Sequence, residues 1–283
     1  MLLGIKGPEW LLQPFTPLFL CPFAPRSWGA NRAGFFLLSA ALICSPFVGT
    51  NSAARASSQD ALIDWQSFER QVRDGRIEKD VARWKLPEIM AHLKNYAAVY
   101  PFLNNSKWTF PVRGYDNRSV GGQNGDGFQP DIYYGRSAIE GYDFFDGNKH
   151  GGHPAHDIFV RDRNQDGLDD TTGKPIEIVT MTASLVIGVV TDWKPGSVLR
   201  GGNVAWLYNP VLGMIFYYAH LNTICVKPGE FLKQGAPIGT VGRTGAAANE
   251  KRSPTHLHLM VLKYDSGSLT PYDFYKYLAD NRY

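Results

Sequence analysis

Between residues 62 and 96 the apolar positions recur at intervals of three and four. Leu62, Trp65, Phe68 and Val72 form one stripe; Ile89, Leu93 and Tyr96 form another. That period predicts two amphipathic helices. Pro87 is expected to start the second, because a proline costs nothing where the first helical N–H lacks a partner anyway. The polar stretch 57–63 ahead of them is expected to be loose. From Trp108 the period changes. "WTFPVRGY", "ASLVIGVVTDW", "NVAWLY", "GMIFYYAHL", "APIGTVGRTG" and "THLHLMVLK" are short runs, β-branched or aromatic, bounded by Gly, Pro or Asn. Such runs read as strands. No helical pattern intervenes, so antiparallel pairing is expected rather than βαβ units. "DFYKYLADNRY" closes the chain as a short helix. The expected fold class is mainly β, with a helical accessory segment over 57–106 and a β domain with insertions over 107–283.

Residues 1–56 differ from the rest. Segment 34–49, "GFFLLSAALICSPFVG", is apolar, follows Arg26 and Arg32, and precedes Ala54 and Ala56 in an A-x-A arrangement. A basic region, an apolar core and that ending predict a secretory signal peptide cut after Ala56. The run is too short, and too broken by Pro46, for a convincing membrane span. An uncleaved signal anchor is the alternative; lipidation at Cys44 is disfavoured by the bulky Ile43 before it. The expected address is therefore exported, periplasmic or extracellular, with no membrane partner for the mature form.

The leader also changes the charge. The whole chain has 29 basic and 26 acidic residues, a net of +3. Residues 1–56 hold Lys6, Arg26, Arg32 and Arg55 against Glu9, so the remainder has 25 of each and a net charge of zero. A neutral mature chain carries no global signature for nucleic acid. Of the cysteines only Cys225 would survive cleavage. No intrachain disulfide is then expected, and Cys225 is read as a small buried hydrophobe.

Six of the seven histidines lie between 150 and 258, whereas His92 falls in the helical region. His256 and His258 sit two apart in a strand-like run, so both project from one face. Two imidazoles there need a partner: a metal, a carboxylate or a substrate. In "HPAHD", His153 and Asp157 are four apart. Imidazole with carboxylate suits zinc, and two histidines, an aspartate and a water would leave one position open for hydrolysis. A hydrogen-bonded loop pair is the plainer alternative. His220 ends the run "YYAHL". A separate stretch, "DRNQDGLDD", sets Asp162, Asn164, Asp166 and Asp170 at positions one, three, five and nine of a calcium loop, but Gly173 occupies position twelve where the bidentate Glu belongs. It is a candidate structural Ca²⁺ site or a solvated acidic turn.

Taken jointly, H-x-x-x-D, then Y-A-H-L, then "VKPGEFLKQGAPIGTVGRTG" and H-L-H resemble the M23 zinc metallopeptidases of the lysostaphin-like, LytM type. The resemblance covers roughly residues 150–263. It implies an antiparallel β-sheet groove domain, with His153, Asp157 and His258 as zinc ligands and His220 and His256 as catalytic histidines. Ala155, His156, Leu259 and Met260 depart from the usual family residues without removing any of these five.

The implied function is an exported zinc-dependent endopeptidase that cuts peptide bonds in peptidoglycan stems or cross-links. Two other readings stay open: a catalytically silent wall-binding or hydrolase-activating module, and a secreted zinc peptidase acting on proteins. An activator protein is a further partner of unknown identity. The 114–150 insertion and the loop 249–254 are expected to border the cleft, and the helices before residue 100 to fold over it as an inhibitory cover.

Overall fold

The computed structural model describes residues 51–100, 108–122, 125–132 and 140–280, with side chains from Asp60 onward. The expected leader falls outside these residues except at 51–56. Two helices come first, α1 (Asn51–Arg73) and α2 (Lys79–Ala97). Ten strands follow: β1 (Ala155–Phe159), β2 (Glu177–Val179), β3 (Ser184–Val190), β4 (Val204–Asn209), β5 (Met214–Ala219), β6 (Leu221–Ile224), β7 (Phe231–Leu232), β8 (Pro237–Val241), β9 (His256–Asp265) and β10 (Ser268–Pro271). A short helix α3 (Tyr275–Ala279) comes last.

Every strand pair is antiparallel, as the missing crossover helices predicted. The larger sheet has seven strands in the order β1-β9-β5-β4-β3-β7, with β10 paired to the distal half of β9. The smaller sheet is β2-β8-β6. The run 108–113 lies beside β2 through Thr109 N to Met181 O at 2.9 Å, Val179 N to Pro111 O at 2.8 Å and Arg113 N to Glu177 O at 3.0 Å. Pro111 has no N–H to give, and the segment registers as one isolated bridge, Val112 with Ile178, rather than a full strand.

The large sheet is buried on both faces. One face carries Val186, Ala205, Leu207, Phe216, Tyr218, Leu257, Leu259 and Val261 against Ile178, Ile238, Val241 and Trp108. The other carries Leu185, Ile187, Trp206, Ile215, Met260 and Leu262 against Trp65, Phe68, Val72, Leu86 and Met90 of the helices. The helices therefore form the second wall of the core. Trp65 is fully buried, with ring centroids 5.8 Å from Trp206 and 6.2 Å from Phe144. An inhibitory cover over the groove was expected; these helices also pack on the sheet, so stripping them would bare an apolar sheet face.

Two helical expectations and the reading of Cys225 need correction. Residues 57–63 are helical, and Ala61 and Leu62 are buried. Pro87 lies inside α2, not at its start. Ala82, Leu86, Ile89, Met90, Leu93 and Ala97 make one buried stripe that runs through the proline. Pro87 itself is exposed, so the carbonyl it cannot pair faces the solvent side, and packing of the stripe overrides the local penalty. Cys225 is half-buried and disulfide-bonded rather than a free apolar residue. The expectation of no disulfide presupposed removal of 1–56, which holds the other two cysteines. Among the described residues no helix is long and apolar enough to cross a membrane.

Candidate metal centre and its cavity

Strand alternation builds the site. Asp157 on β1 pairs in register with His258 on β9, and His258 pairs in turn with Ala219 of β5. His256 and His258 project from the helix-facing side, while Leu257 and Leu259 point into the opposite core. His153 precedes β1 by two residues and is tied to Gln129 by a bridge.

His153, Asp157 and His258 each offer a ligand atom within 4.8 Å of the other two, the sole such group among the described residues. His153 Nε2 is 3.3 Å from Asp157 Oδ1, and His258 Nδ1 is 2.9 Å from the same oxygen. Nitrogen lone pairs do not approach a carboxylate oxygen so closely unless a proton or a cation lies between them. His153 Nδ1 donates to Gly127 O at 2.7 Å, which leaves Nε2 as the free lone pair. Burial pushes the Asp157 carboxyl upward, yet the bonds from His153 and His258 hold it well below the usual range. Burial lowers the His258 ring, and Asp157 only partly offsets it. His153 is raised, its contacts with Asp157 outweighing burial. An ionised carboxylate and largely buried imidazoles at these spacings fit a tetrahedral zinc ion, whose ligand bonds run about 2.0–2.2 Å.

His220 and His256 flank this group. Their ring centroids are 4.9 Å apart, and His220 lies 5.5 Å from His258. His220 Nδ1 donates to Thr244 O and His256 Nδ1 to Pro254 O, each at 2.7 Å. Since a carbonyl can only accept, each ring keeps its proton on Nδ1 and its lone pair on Nε2. His256 Nε2 lies 3.8 Å from Asp157 Oδ2. Burial, then the neighbouring His256 and His258, holds His220 well below the ordinary imidazole value. His220 also has φ 63°, left-handed backbone for a residue with a side chain. Such conformations cost about 1–3 kcal/mol and persist where the surroundings over-determine them. Here Gly201 O accepts the His220 N–H at 2.9 Å. Gly245 leaves room for the ring: a Cβ there would stand 2.4 Å from Arg200 O and 2.8 Å from His220 Nδ1.

The five residues open into a cavity of about 330 Å³. Its walls include Ala247, Ala248 and Ser253 from the loop before β9 and Tyr142, Asn148 and His150 from the 114–150 insertion, as both were expected to do. Arg243 pins the first loop, donating to Ser253 O at 2.6 Å and Glu250 O at 2.9 Å. The second is fastened to the helices. Lys79 and Arg83 pair with Asp143 at 3.2 and 2.7 Å, and Gly147 packs so close to Val72 O that a Cβ would stand 2.1 Å away.

Several wall residues carried no signal in the chain. Glu69 of α1 lies far from the motifs in sequence, and Arg200 belongs to no pattern; Tyr217 lies in the strand-like run "GMIFYYAHL", whose aromatics read as sheet core and groove lining. His150 was visible only as one of the clustered histidines. His156, one of the departures from the usual family residues, is fully buried and faces away. Its Nε2 is 2.9 Å from Asp273 Oδ1, between Phe128, Phe274 and Tyr275. His92 is exposed, 3.3 Å from Asp64.

The calcium-loop residues do not gather as a metal group. Asp162 is buried and its carboxylate accepts from Asp166 N at 3.0 Å, Gly167 N at 3.1 Å and Thr255 Oγ1 at 2.8 Å. Asn164 donates to Asp166 at 2.8 Å, and Asp170 accepts from Arg163 N at 3.2 Å. The loop is closed by its own backbone.

Residues 170–271 match the model of Peptidase family M23, which bears out the resemblance read from the motifs. The match includes His220, His256 and His258 but starts after His153 and Asp157; the fold brings those two to it. No curated protein matches the chain. Among solved structures it is similar to a zinc-containing peptidase from Vibrio cholerae, at 20% identity over 57% of this chain and 37% of that one, with a TM-score of 0.37. It is also similar to a SpoIIQ–SpoIIIAH pore-forming complex (20%; 36% and 57%; 0.28) and to the catalytic domain of the antimicrobial peptidase lysostaphin from Staphylococcus simulans (23%; 43% and 76%; 0.29). The chain thus spans about a third of the first and somewhat over half of the second. At these scores the likenesses support no inference about activity.

Proposed function

We propose that this chain, with its M23 match over residues 170–271, is an exported zinc-dependent endopeptidase that hydrolyses peptide bonds in peptidoglycan stems or cross-links. The observation that carries the reading is the convergence of two imidazoles and a carboxylate within 4.8 Å, at the mouth of a cavity that two further tautomer-fixed histidines share.

His153, Asp157 and His258 would hold the ion. A bound zinc supplies Lewis acidity and lowers the pKa of a coordinated water to about 7. His220 and His256 present Nε2 lone pairs, each able to take a proton from water and return it to the leaving amine. Once protonated, either ring can donate to oxyanion charge developing on the scissile carbonyl. Thr244 O and Pro254 O hold both rings in that orientation throughout.

The choice of peptidoglycan rests on the family resemblance, and export rests on the leader-like segment 1–56. The test is incubation of the purified chain with intact sacculi, with and without chelator, followed by identification of released fragments. Muropeptides cut in the peptide moiety, only without chelator, support the proposal. Sacculi left whole but sedimenting with the protein point to a wall-binding module. Cleavage of a protein panel alone points to a protein-directed peptidase.

A further inference from the structure

The cavity holding the metal ligands extends to α1, and there it meets Glu69. This glutamate is 8% exposed. A buried carboxylate is costly unless paired, yet the nearest cation on its helix, Arg73, turns its Nε to Asp74 Oδ1 at 2.9 Å. Arg73 and Arg70 lower the Glu69 carboxyl through space and Asp74 raises it, and Arg200 lines another part of the same cavity, but none of them forms an ion pair with Glu69 among the described residues. The uncharged groups on the cavity wall beside it are aromatic. Trp206 and Tyr217 line the same wall with ring centroids 4.4 Å apart, and Tyr142 and Phe144 come from the opposite loop. The Trp206 indole N–H is buried without a hydrogen-bond partner, though it lies near enough to Glu69 to lower that carboxyl slightly. Burial dominates and pushes Glu69 up to about 7.

A buried carboxyl behind a ring of aromatic faces suits one ligand class. An alkylammonium would gain an ion pair with the carboxylate and cation–π contact with the rings, in surroundings that exclude water. We propose that Glu69, Trp206, Tyr217 and Tyr142 form an ammonium subsite, which selects substrates carrying a free primary amine beside the scissile bond. This rests on the peptidase reading and assigns its specificity. The amine can come from a diamino-acid side chain or from a peptide N-terminus.

Two measurements on the full chain at pH 8 test it. In the first, n-pentylamine and 1-pentanol are titrated separately while tryptophan fluorescence is followed. At least tenfold tighter binding of the amine in the wild type, falling to parity in Glu69→Gln, is expected. Equal binding in the wild type, which needs no variant to read, overturns the subsite, as does a preference that survives Glu69→Gln in a variant with wild-type circular dichroism. In the second, wall peptides are compared with forms acetylated at the side-chain amine or at the N-terminus. The acetylation that raises KM about tenfold or more, with little change in kcat, names the source; indifference to both overturns the proposal. Absence of any hydrolysis would remove the peptidase reading and leave the amine-against-alcohol comparison to decide the subsite alone.

Discussion

Glu69 should make folding stability depend on pH in a direction opposite to most carboxylates. Its pKa rises from 4.5 in the unfolded chain to about 7 in the fold, chiefly through burial. The fold therefore prefers the protonated form. Below pH 4.5 the group is neutral in both states and costs nothing. As pH climbs from 4.5 to 7 the unfolded chain ionises freely while the fold resists, so stability falls; above 7 the penalty is constant. At about 1.4 kcal/mol per pH unit the full loss is about 3 kcal/mol. Urea unfolding followed by tryptophan fluorescence measures it, run from pH 4 to pH 8 on wild type and Glu69→Gln, with chelator present throughout so that metal loading does not vary. The histidines titrate alike in both proteins and cancel in the difference. The variant should gain on the wild type by up to about 3 kcal/mol across that range. A difference flat to within about 0.5 kcal/mol would refute the idea that burial outweighs the nearby Arg73 and Arg70 at this carboxyl.

Other outcomes follow from the same geometry. Trp65→Ala, at a fully buried ring between Trp206 and Phe144, should cost about 3–5 kcal/mol in urea unfolding; a loss under about 1 kcal/mol would return α1 to the status of a removable cover. Asp157→Asn should abolish stoichiometric zinc binding by elemental analysis and activity with it, since the carboxylate joins both ring nitrogens. His220→Ala should keep the zinc and lose about 10²–10⁴-fold in kcat, the usual range for a proton-transfer group; loss of the metal instead would make His220 a ligand. Gly245→Ala should lower activity at least tenfold and the melting temperature with it, because its Cβ would meet His220 Nδ1 at 2.8 Å and Gly245 has φ 112°.

Legibility in the chain followed the range of the physics. The antiparallel pairing, the common face of His256 and His258 and the β-runs after residue 180 are local, set by a period of two, and were readable; "WTFPVRGY" gives only an isolated bridge. The convergence of His153 and Asp157 with His258 came from a motif; the periodicities alone left a hydrogen-bonded loop equally open. Position-by-position rules failed where packing acts at a distance. Pro87 was read as a helix start because the rule sees the missing N–H but not the buried stripe that carries α2 past it. The acidic turn matches a calcium loop in spacing, and spacing alone does not tell that Asp162 also accepts from two backbone amides and Thr255. Glu69 gave no signal, since its meaning depends on α1 lying across a sheet whose first strand begins only at Ala155.

That arrangement also explains why helices and site cannot be treated as separate modules. On β9 the helix-facing positions are His256, His258, Met260 and Leu262. The first two serve the metal group, the last two belong to the core under the helices, and Met260 does both, since it also lines the cavity. The border between a polar site and an apolar core thus falls inside one strand, with no loop to separate them. A polar site on such a face stays ordered only if its apolar remainder is covered, because an exposed stretch of sheet would invite other surfaces to dock there. Trp65, Phe68 and Val72 provide that cover, and Glu69, on the same helix, is thereby carried to the cavity wall. The register of β9 with β1 and β5 fixes ligands and helix contacts together: a slip by one residue would turn His256 and His258 into the opposite core and remove the seat of α1 in the same step.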